Sequence, residues 1–578
     1  MVVEDIPTLG TVYRLPAEAI APALRALRDA DDGFDFMVDL FGIDTGEALD
    51  VVYHLRSCAT REDVILKAAH PYGGTLASVW EVYPAALMPE RELCELFGLR
   101  LAGHPNPKRL ITTDGCAPYL LKATAIRSAE EVRDRASQVI DPACLRRVQG
   151  SIAAESAGTS GLARPWGAPA SGASLDAPPL DASLSADDGI APLGEHGTPL
   201  APAGVKRALA GADGVTTEHL IINMGPQHPS THGVLRIMLE LDGEEVVTGE
   251  MIVGQLHRGI EKLAESRRYA AIGTLMDRGD YVSGIHGELA LALATEQLLQ
   301  VDVPRRAQWL RSLMGELNRI ASHMTWFGPN GLDAGMMGLF LYVFKDREDI
   351  LDILEDVTGQ RMTFNYVRPG GVLNDITPTA EAKIRAFIKD FTWRIDEHEE
   401  LVLGNEIFQS RARGIGVMTR ENAIAYGLTG ANLRASGPCW DVRKNRPYAA
   451  YGELDFQVPT GVMGDIEARF QVRINEMRQS LKMIEQCIDG LPEGDVMAKL
   501  PKSLRPPVGE AYAAVESPRG ELGIHLVSDG SDTPYRMRYR PPALYALQAG
   551  ESLLPGLLIA DAVVALGSLD FVLGEIDR

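Results

Sequence analysis

The segment from about residue 151 to residue 212 divides the chain and limits what it can fold into. Ala, Ser, Gly and Pro dominate it, and large apolar side chains are few. Its prolines include Pro169, Pro178, Pro179, Pro192, Pro199 and Pro202. Each of them removes a backbone donor that a helix or a central strand needs. Because such a segment buries too little surface to offset its ordering entropy, we predict a linker between two globular parts, residues 1–150 and 213–578.

The first 150 residues have the pattern of a small α+β domain. Apolar stretches separated by polar turns predict strands at 34–40, 49–55 and 62–68. From residue 76 to residue 97 the apolar side chains return at helical spacing. This spacing predicts one helix over 76–97.

The second globular part is predicted to be mainly α-helical. Long segments with apolar residues at helical spacing are 279–299, 305–327, 335–357, 380–403 and 465–488. Helices of this length can form one bundle by burying their apolar faces against one another. Residues 520–527 and 535–539 alternate around a Ser-Asp-Gly turn and predict a hairpin. The predicted fold class is therefore multi-domain, with a small α+β domain, an extended linker, and a large mainly α domain that carries small β-sheets.

Residues 223–236 contain two histidines, His228 and His232, in a loop. Pro229 and the Gly225–Pro226 pair exclude a helix that would place both imidazoles on one face. Residues on both sides alternate, so the loop is predicted to be the tip of a β-hairpin. A rigid turn is one interpretation. The two imidazoles close together also make it a candidate functional site.

Other candidate residues lie where helices are predicted to begin. Asp280 can cap the helix over 279–299, and Tyr281 can equally be a core residue of that helix. Asp333 precedes the helix over 335–357, where an N-cap is again the simple structural interpretation. Two further segments of interest are 256–262 and 568–578.

Composition excludes several classes of function. The formal net charge is −23 and the pI is near 5.0, whereas nucleic-acid binding needs a positive surface. The six cysteines include no Cys-x-x-Cys pair, so there is no signature of a disulfide framework, an iron–sulfur cluster or a zinc site. No glycine-rich nucleotide loop follows a strand, so no NAD, FMN or ATP site is predicted. Without a signal peptide or a membrane-spanning run, membrane association is expected to come through a partner.

Several long motifs occur in order along the second part. They are Gly225-Pro-Gln-His-Pro-Ser-Thr-His-Gly-Val-Leu-Arg, His257-Arg-Gly-Ile-Glu-Lys, Tyr366-Val-Arg-Pro-Gly-Gly, Leu428-Thr-Gly-Ala-Asn-Leu-Arg-Ala-Ser-Gly, Glu516-Ser-Pro-Arg-Gly-Glu-Leu-Gly and Val527-Ser-Asp-Gly. With them, residues 213–578 closely resemble the D subunit of respiratory complex I, the proton-pumping NADH–quinone oxidoreductase. Through Glu90-Arg-Glu-Leu-Cys-Glu-Leu-Phe-Gly-Leu and Gly103-His-Pro, residues 1–150 resemble its C subunit. The whole chain resembles the fused C/D form, with the Ala/Pro-rich segment as the joint.

The D family is related to the large subunit of nickel–iron hydrogenases, in which two Cys-x-x-Cys pairs hold the metal. The matching positions here fall around Arg258-Gly-Ile-Glu and Asp570-Phe-Val-Leu-Gly, and neither contains cysteine. Because a nickel–iron site needs soft thiolates, hydrogenase chemistry is excluded. The resemblance implies a cavity that has lost its metal and, in complex I, holds the quinone headgroup.

The resemblance also implies a role for each candidate residue. Tyr281 is expected at one quinone oxygen and His232 at the other, with Asp333 behind the imidazole. Arg278 is expected near a terminal iron–sulfur cluster of the B subunit. The expected pocket and support residues are His228, Met224, Met336, Met337 and Phe340.

The same resemblance implies an assembly. This chain is expected to bind no cofactor, because the iron–sulfur cluster, FMN and NAD(H) belong to partner subunits and quinone is the substrate. The expected partners are the iron–sulfur B and I subunits and the membrane H subunit. The chain is expected at the cytoplasmic face of the bacterial inner membrane, with its reaction coupled to proton pumping. Two alternatives are a subunit of a related membrane hydrogenase or electron-input variant, and a non-catalytic scaffold.

Overall fold

The structure of the chain is a computed structural model that describes residues 2–6, 8–112, 116–124, 126, 205–210, 216–225 and 234–578. Helices and strands are numbered below in chain order. None of the described helices combines the length and the apolarity needed to cross a bilayer.

The N-terminal part is built on a five-stranded sheet. Its strands are β1 Val2–Ile6, β2 Gly10–Pro16, β3 Phe36–Asp44, β4 Leu49–Arg56 and β5 Asp63–His70. Their order is β1-β2-β5-β4-β3, with β2 and β5 parallel and the other neighbours antiparallel. Helices α1 (Ala17–Arg28) and α2 (Leu87–Phe97) pack against it. The three strands predicted between residues 34 and 68 are confirmed as β3, β4 and β5.

The helix predicted over 76–97 is correct only in its second half. Thr75–Ala77 form the short strand β6, which pairs in parallel with β7, Arg100–Ala102. Pro84–Ala86 form a single 3₁₀ turn, and α2 begins directly after it. Proline lacks a backbone donor and fits the first turn of a helix but not its interior, so a helix from residue 76 could not continue through this turn.

A four-stranded antiparallel sheet opens the second part. Its strands are β8 Val205–Ala210, β9 Thr216–Met224, β10 Arg236–Asp242 and β11 Glu245–Ile252, and each pairs with the next. The hairpin predicted around the histidine loop is confirmed as β9–β10. Strand β8 lies inside the range predicted as linker, and its six residues contain no proline or glycine and can add an edge strand. The remaining residues of that range lie outside those described.

Helices make up most of the second part. They are α3 Ile260–Ala264, α4 Tyr269–Met276, α5 Gly284–Leu299, α6 Arg305–Asp333, α7 Met337–Thr358, α8 Pro378–Leu403, α9 Glu406–Ala412, α10 Arg420–Ala425, α11 Gly430–Arg434, α12 Val442–Asn445, α13 Ile466–Asp489, α14 Pro542–Leu553, α15 Ile559–Gly567 and α16 Leu573–Asp577. The five long helices α5, α6, α7, α8 and α13 confirm the predicted bundle. Helix α6 lies at its centre and packs against α7 and α13, with Leu310, Leu313 and Leu317 completely buried.

Two smaller sheets complete the fold. A two-stranded ribbon consists of β12 Val367–Arg368 and β13 Gly371–Val372, and a three-stranded antiparallel sheet consists of β14 Gly509–Ser517, β15 Gly520–Ser528 and β16 Arg536–Arg540. The hairpin predicted from residue 520 is confirmed as β15–β16. Sequence analysis missed β14, because alanines stand at several of its inward positions and give a weak alternation. Strands β14 and β15 pack on α5 and so connect the bundle to the N-terminal part.

Buried ion pairs join the N-terminal part to this sheet. Arg538 on β16 donates to both carboxylate oxygens of Asp39 at 2.9 Å and to Glu92 on α2 at 2.8 Å. Arg56 on β4 donates to both oxygens of Glu521 on β15, at 2.5 and 3.0 Å. All five side chains are buried. A buried charge needs a partner of opposite charge. Each of the two parts supplies such partners for buried charged side chains of the other.

We expect Arg538→Leu to lower the free energy of unfolding by ~3–5 kcal/mol, because Asp39 would stay buried without its bidentate cation and Glu92 would keep only Arg578. Arg413→Leu is the matched control. Arg413 pairs with Glu467 at the surface, so its loss is expected to change stability by less than ~1 kcal/mol. Denaturant unfolding of the purified chain, followed by circular dichroism, measures both. Equal losses in the two variants would contradict a stabilising role of the buried pairs.

Candidate functional site

Asp280 organises the turn that carries Tyr281 between α4 and α5. Its carboxylate is completely buried and accepts the backbone N–H groups of Val282 and Ser283 at 3.2 and 3.3 Å. It also accepts the Ser283 hydroxyl and the guanidinium of Arg519, the latter at 2.7 Å. The predicted helix therefore begins at residue 284 and not at 279, because these bonds hold the intervening residues in a turn.

Arg519 ties this turn to two other parts of the fold. It lies between β14 and β15 and donates to the Ser322 hydroxyl on α6 at 3.2 Å. Its second terminal nitrogen lies 3.4 Å from the Asp570 carboxylate, in the segment before α16. One buried cation thus bridges Asp280 and Asp570, which are 290 residues apart in the chain.

Tyr281 is half-buried, and its ring packs against the C-terminal segment. A Cβ added to Gly574 would lie 3.1 Å from the Tyr281 ring and 2.7 Å from the Gly279 carbonyl oxygen. Burial raises the pKa of Tyr281, the Arg519 cation opposes that rise, and the Asp280 anion adds to it. The phenol therefore keeps its proton at neutral pH and is a donor to any strong acceptor placed beside it.

Two buried carboxyl groups near this turn are able to hold protons. Burial raises the pKa of Glu575 to about 8, with a further rise from the Asp280 anion against the opposing Arg519 cation. Burial raises the pKa of Asp570 to about 6, and Arg519 and Arg473 oppose that rise. Glu575 therefore stays largely protonated near neutral pH.

Residues 254–259 and the last two residues, Asp577 and Arg578, come together in the fold. The backbone N–H groups of Gly254 and Leu256 donate to the Asp577 carboxylate at 2.8 and 2.6 Å. Those of Arg258 and Gly259 donate to the backbone carbonyl of Arg578. Across the described ranges, no group of three or more His, Cys, Asp or Glu side chains is arranged to hold a metal ion.

Arg278 lies exposed at the edge of the same turn. The Arg258 guanidinium, also exposed, donates to the backbone carbonyl of Arg278. Burial, followed by the nearby Arg278 charge, lowers the pKa of Arg258. Two cations therefore lie side by side on this surface, on a chain whose net charge is strongly negative.

Asp333 is the last residue of α6 and does not cap the helix that follows. Gly335, with φ of +90°, reverses the chain, and the N-cap of α7 is Met336, whose side chain cannot accept a hydrogen bond from the helix start. The capping interpretation of Asp333 was wrong, because a left-handed glycine separates it from α7. Its position beside the predicted pocket residues remains a prediction.

Helix α6 contacts the Tyr281 turn near the middle of the helix. The Asn318 side chain on α6 donates to the Val282 carbonyl at 3.1 Å. Asp333 lies about 22 Å farther along the helix axis, from the rise of about 1.5 Å per residue.

The remaining predicted pocket residues differ in exposure. Met336 and Phe340 are half-buried, and Met337 is 60% exposed. Met224, on β9, is buried in the apolar core. Exposed large side chains close to Met337 in the chain are Leu332, Leu341 and Tyr342. His228 and His232 lie outside the described residues.

Sequence analysis singled out Tyr281, Asp280 and Asp333 but missed Arg519, Asp570 and Glu575 as members of one cluster. The available signal was an arginine in the tight turn between β14 and β15, followed by Gly520 with φ of +130°. A buried arginine at a tight turn indicates a carboxylate partner. The sequence pattern does not show which of 79 acidic residues it is.

Glu575 gives this cluster a testable pH dependence. The folded chain keeps a proton that the unfolded chain loses above the ordinary glutamate value of 4.5, so stability falls as pH rises from there towards about 8. The free energy of unfolding should therefore decrease less steeply with pH in Glu575→Gln, by up to ~1.4 kcal/mol per pH unit. The exposed Glu397→Gln is the control and is expected to keep the wild-type slope. Denaturant unfolding at pH 5, 6, 7 and 8 measures the slopes, and identical slopes in both variants would exclude a proton on Glu575.

Comparison with known proteins gives matches over both parts of the chain. A family model described as the 49 Kd subunit of respiratory-chain NADH dehydrogenase matches residues 333–506 and 500–578, and one described as its 30 Kd subunit matches residues 13–128. A D subunit of NADH-quinone oxidoreductase from Solibacter usitatus is 48% identical over 359 residues, which are 62% of this chain and 97% of the relative. The D subunit of the same enzyme from Bacillus cytotoxicus is 44% identical over 364 residues, 63% of this chain and 100% of that relative.

Proposed function

Because this chain belongs to the respiratory-chain NADH dehydrogenase family and carries its 30 kDa-type and 49 kDa-type subunits in one polypeptide, we propose that its 49 kDa-type part forms the quinone headgroup site. As a member of this family, the chain is a peripheral-arm component of an NADH:quinone oxidoreductase. The observation that carries the proposal is the half-buried Tyr281, held by the Asp280–Arg519 pair and packed on Gly574.

The chemistry of Tyr281 suits quinone reduction. Reducing a quinone takes two electrons and two protons, and each carbonyl oxygen becomes strongly basic as electrons arrive. Burial raises the pKa of Tyr281, so the phenol donates a hydrogen bond to the oxidised ring and gives up its proton only after charge has reached that oxygen. The neighbouring Arg519 cation stabilises the phenolate that remains.

His232 is the proposed donor to the second quinone oxygen, with Asp333 orienting its imidazole. A histidine near pKa ~6.5 can supply a proton at neutral pH, and an ionised carboxylate behind the ring favours the charged form. His228, Met224, Met336, Met337 and Phe340 are proposed to line or support this pocket.

Electrons are proposed to come from an iron–sulfur cluster of a partner subunit. Arg278 and Arg258 form an exposed positive patch next to the Tyr281 turn, which suits a cluster-bearing partner at that surface. The proposed neighbours are the iron–sulfur B and I subunits and the membrane H subunit. They would hold the chain at the cytoplasmic face of the bacterial inner membrane, where quinone reduction is coupled to proton pumping.

We expect Tyr281→Phe to lower NADH-driven quinone reduction by at least ~100-fold, because the phenol proton donor is lost. Reduction of ferricyanide by NADH should continue, since that electron acceptor needs no quinone site. Tyr13→Phe in the N-terminal part makes the same chemical change away from the site and should keep wild-type turnover. Assays on the purified complex measure all three. Normal quinone turnover in Tyr281→Phe would refute the proposal and favour a non-catalytic scaffold.

Gly574→Ala tests the position of the ring without removing the phenol. The added methyl group would press on Tyr281 and on the Gly279 carbonyl, so we expect quinone reduction to fall ~10–100-fold while the complex still assembles. Gly452→Ala is the matched control, because a Cβ there meets only Pro447, at an ordinary 3.6 Å. Steady-state kinetics with a soluble quinone compare the two variants. If both behave as wild type, the contact between Gly574 and Tyr281 has no part in the reaction.

A further inference from the structure

Asp277 and Glu288 form a pair of buried carboxyl groups behind the Tyr281 turn. Asp277 ends α4 and Glu288 lies on the second turn of α5, and each is 1% exposed. The two groups lie within hydrogen-bonding reach of each other. Two ionised carboxylates at that separation would repel each other in a site from which water is excluded.

Each carboxyl group has one oxygen bound to the backbone and one oxygen free for its partner. One oxygen of Asp277 accepts the Asn365 N–H at 3.1 Å, and one oxygen of Glu288 accepts the N–H groups of Tyr366 and Val367 at 2.8 and 2.6 Å. The other oxygens, Asp277 Oδ1 and Glu288 Oε1, are buried and receive no donor from the described residues. A proton between these two oxygens satisfies both.

The charges around the pair do not replace that proton. Arg278 acts on Asp277, but its side chain is exposed, and no cation is among the main influences on Glu288. Tyr366, directly before β12, is a titratable neighbour of the pair. Tyr269 begins α4, at the end of the helix opposite Asp277. Other ionisable groups on α5 and the elements packed against it have partners elsewhere: His286 with Arg319, Glu296 with Arg311, Glu316 with Arg443, Glu510 with Lys67, Glu516 with Arg434 and Glu521 with Arg56.

The pair connects the Tyr281 turn to a strained loop. Thr363 and Asn365 have φ of 51° and 46°, which non-glycine residues rarely adopt. The donors to the pair are the backbone N–H groups of Asn365, Tyr366 and Val367, which lie in this loop or directly after it. On the other side, a Cβ at Gly284 would lie 2.9 Å from Asp277 Oδ1, so the start of α5 closes directly over the carboxyl group.

We propose that Asp277 and Glu288 bind one proton between them and form a buried proton-binding site that positions the Tyr281 turn. While the proton is present, the pair holds the 365–367 backbone and the ends of α4 and α5 together. When the proton leaves, two adjacent anions repel, and the turn loses this support. Burial and the Asp277 partner raise the pKa of Glu288 well above its ordinary range, which keeps the proton in place at neutral pH.

Infrared spectroscopy of the purified complex tests the shared proton directly. A shared proton contributes one component to the carboxylic acid C=O band at neutral pH, beside the component from protonated Glu575. In difference spectra against wild type, Glu288→Gln and Asp277→Asn should each show the loss of one component, because the new amide N–H₂ supplies the hydrogen and the remaining carboxyl group ionises. Exposed Glu400→Gln is the control and should show no loss. No loss in Asp277→Asn would contradict a shared proton, and no loss in either variant would overturn the proposal.

The pH profile tests the positioning role, which rests on the proposed function of Tyr281. We expect wild-type quinone reduction to fall at alkaline pH as the pair loses its proton, and Glu288→Gln to lose this alkaline limb while keeping wild-type turnover at neutral pH. An unchanged alkaline limb in Glu288→Gln would exclude positioning by the pair. The infrared result does not depend on quinone chemistry, so it distinguishes a failure of the proton site from a failure of the quinone proposal.

Discussion

Pairing of arginine and carboxylate out of contact with water is the interaction on which this structure depends. At the sheet between the two parts, Arg538 meets Asp39 and Glu92, and Arg56 meets Glu521. Buried pairs of this kind add little net stability compared with apolar packing, but losing one partner is costly. They therefore select one relative arrangement of the two parts. Apolar contacts alone tolerate many arrangements.

The candidate site follows the same principle. Arg519 holds Asp280 and Asp570 from distant parts of the sequence and thereby fixes the turn beside the C-terminal segment. Burial of Glu575 in this cluster, together with the Asp280 anion, raises the pKa of Glu575 to about 8, so this carboxyl group keeps a proton. In the proposed Asp277–Glu288 pair, a shared proton and not an arginine offsets the repulsion between the two carboxyl groups. The result is a tyrosine held between groups whose charge can change.

Much of the fold could be predicted from local patterns. Helical spacing predicted the five long helices of the bundle, apolar stretches between polar turns predicted β3, β4 and β5, and alternation predicted both hairpins. Patterns of this kind report which face of an element is buried but not what it is buried against. The partnership of Arg538 with Asp39, or of Asp277 with Glu288, is therefore invisible in them. Local preference also failed at Asp333, where a left-handed Gly335 decides the helix end.

The covalent joining of the two parts has a consequence for assembly. The ion pairs at the sheet would, between separate chains, form only in proportion to the amounts of both chains present. Here the partners are tethered, so their mutual concentration is set by the connecting segment and does not change on dilution. Each copy also carries the two parts in a fixed one-to-one ratio from the moment of its synthesis. Cells that make this chain need no separate control over how much of each half they produce.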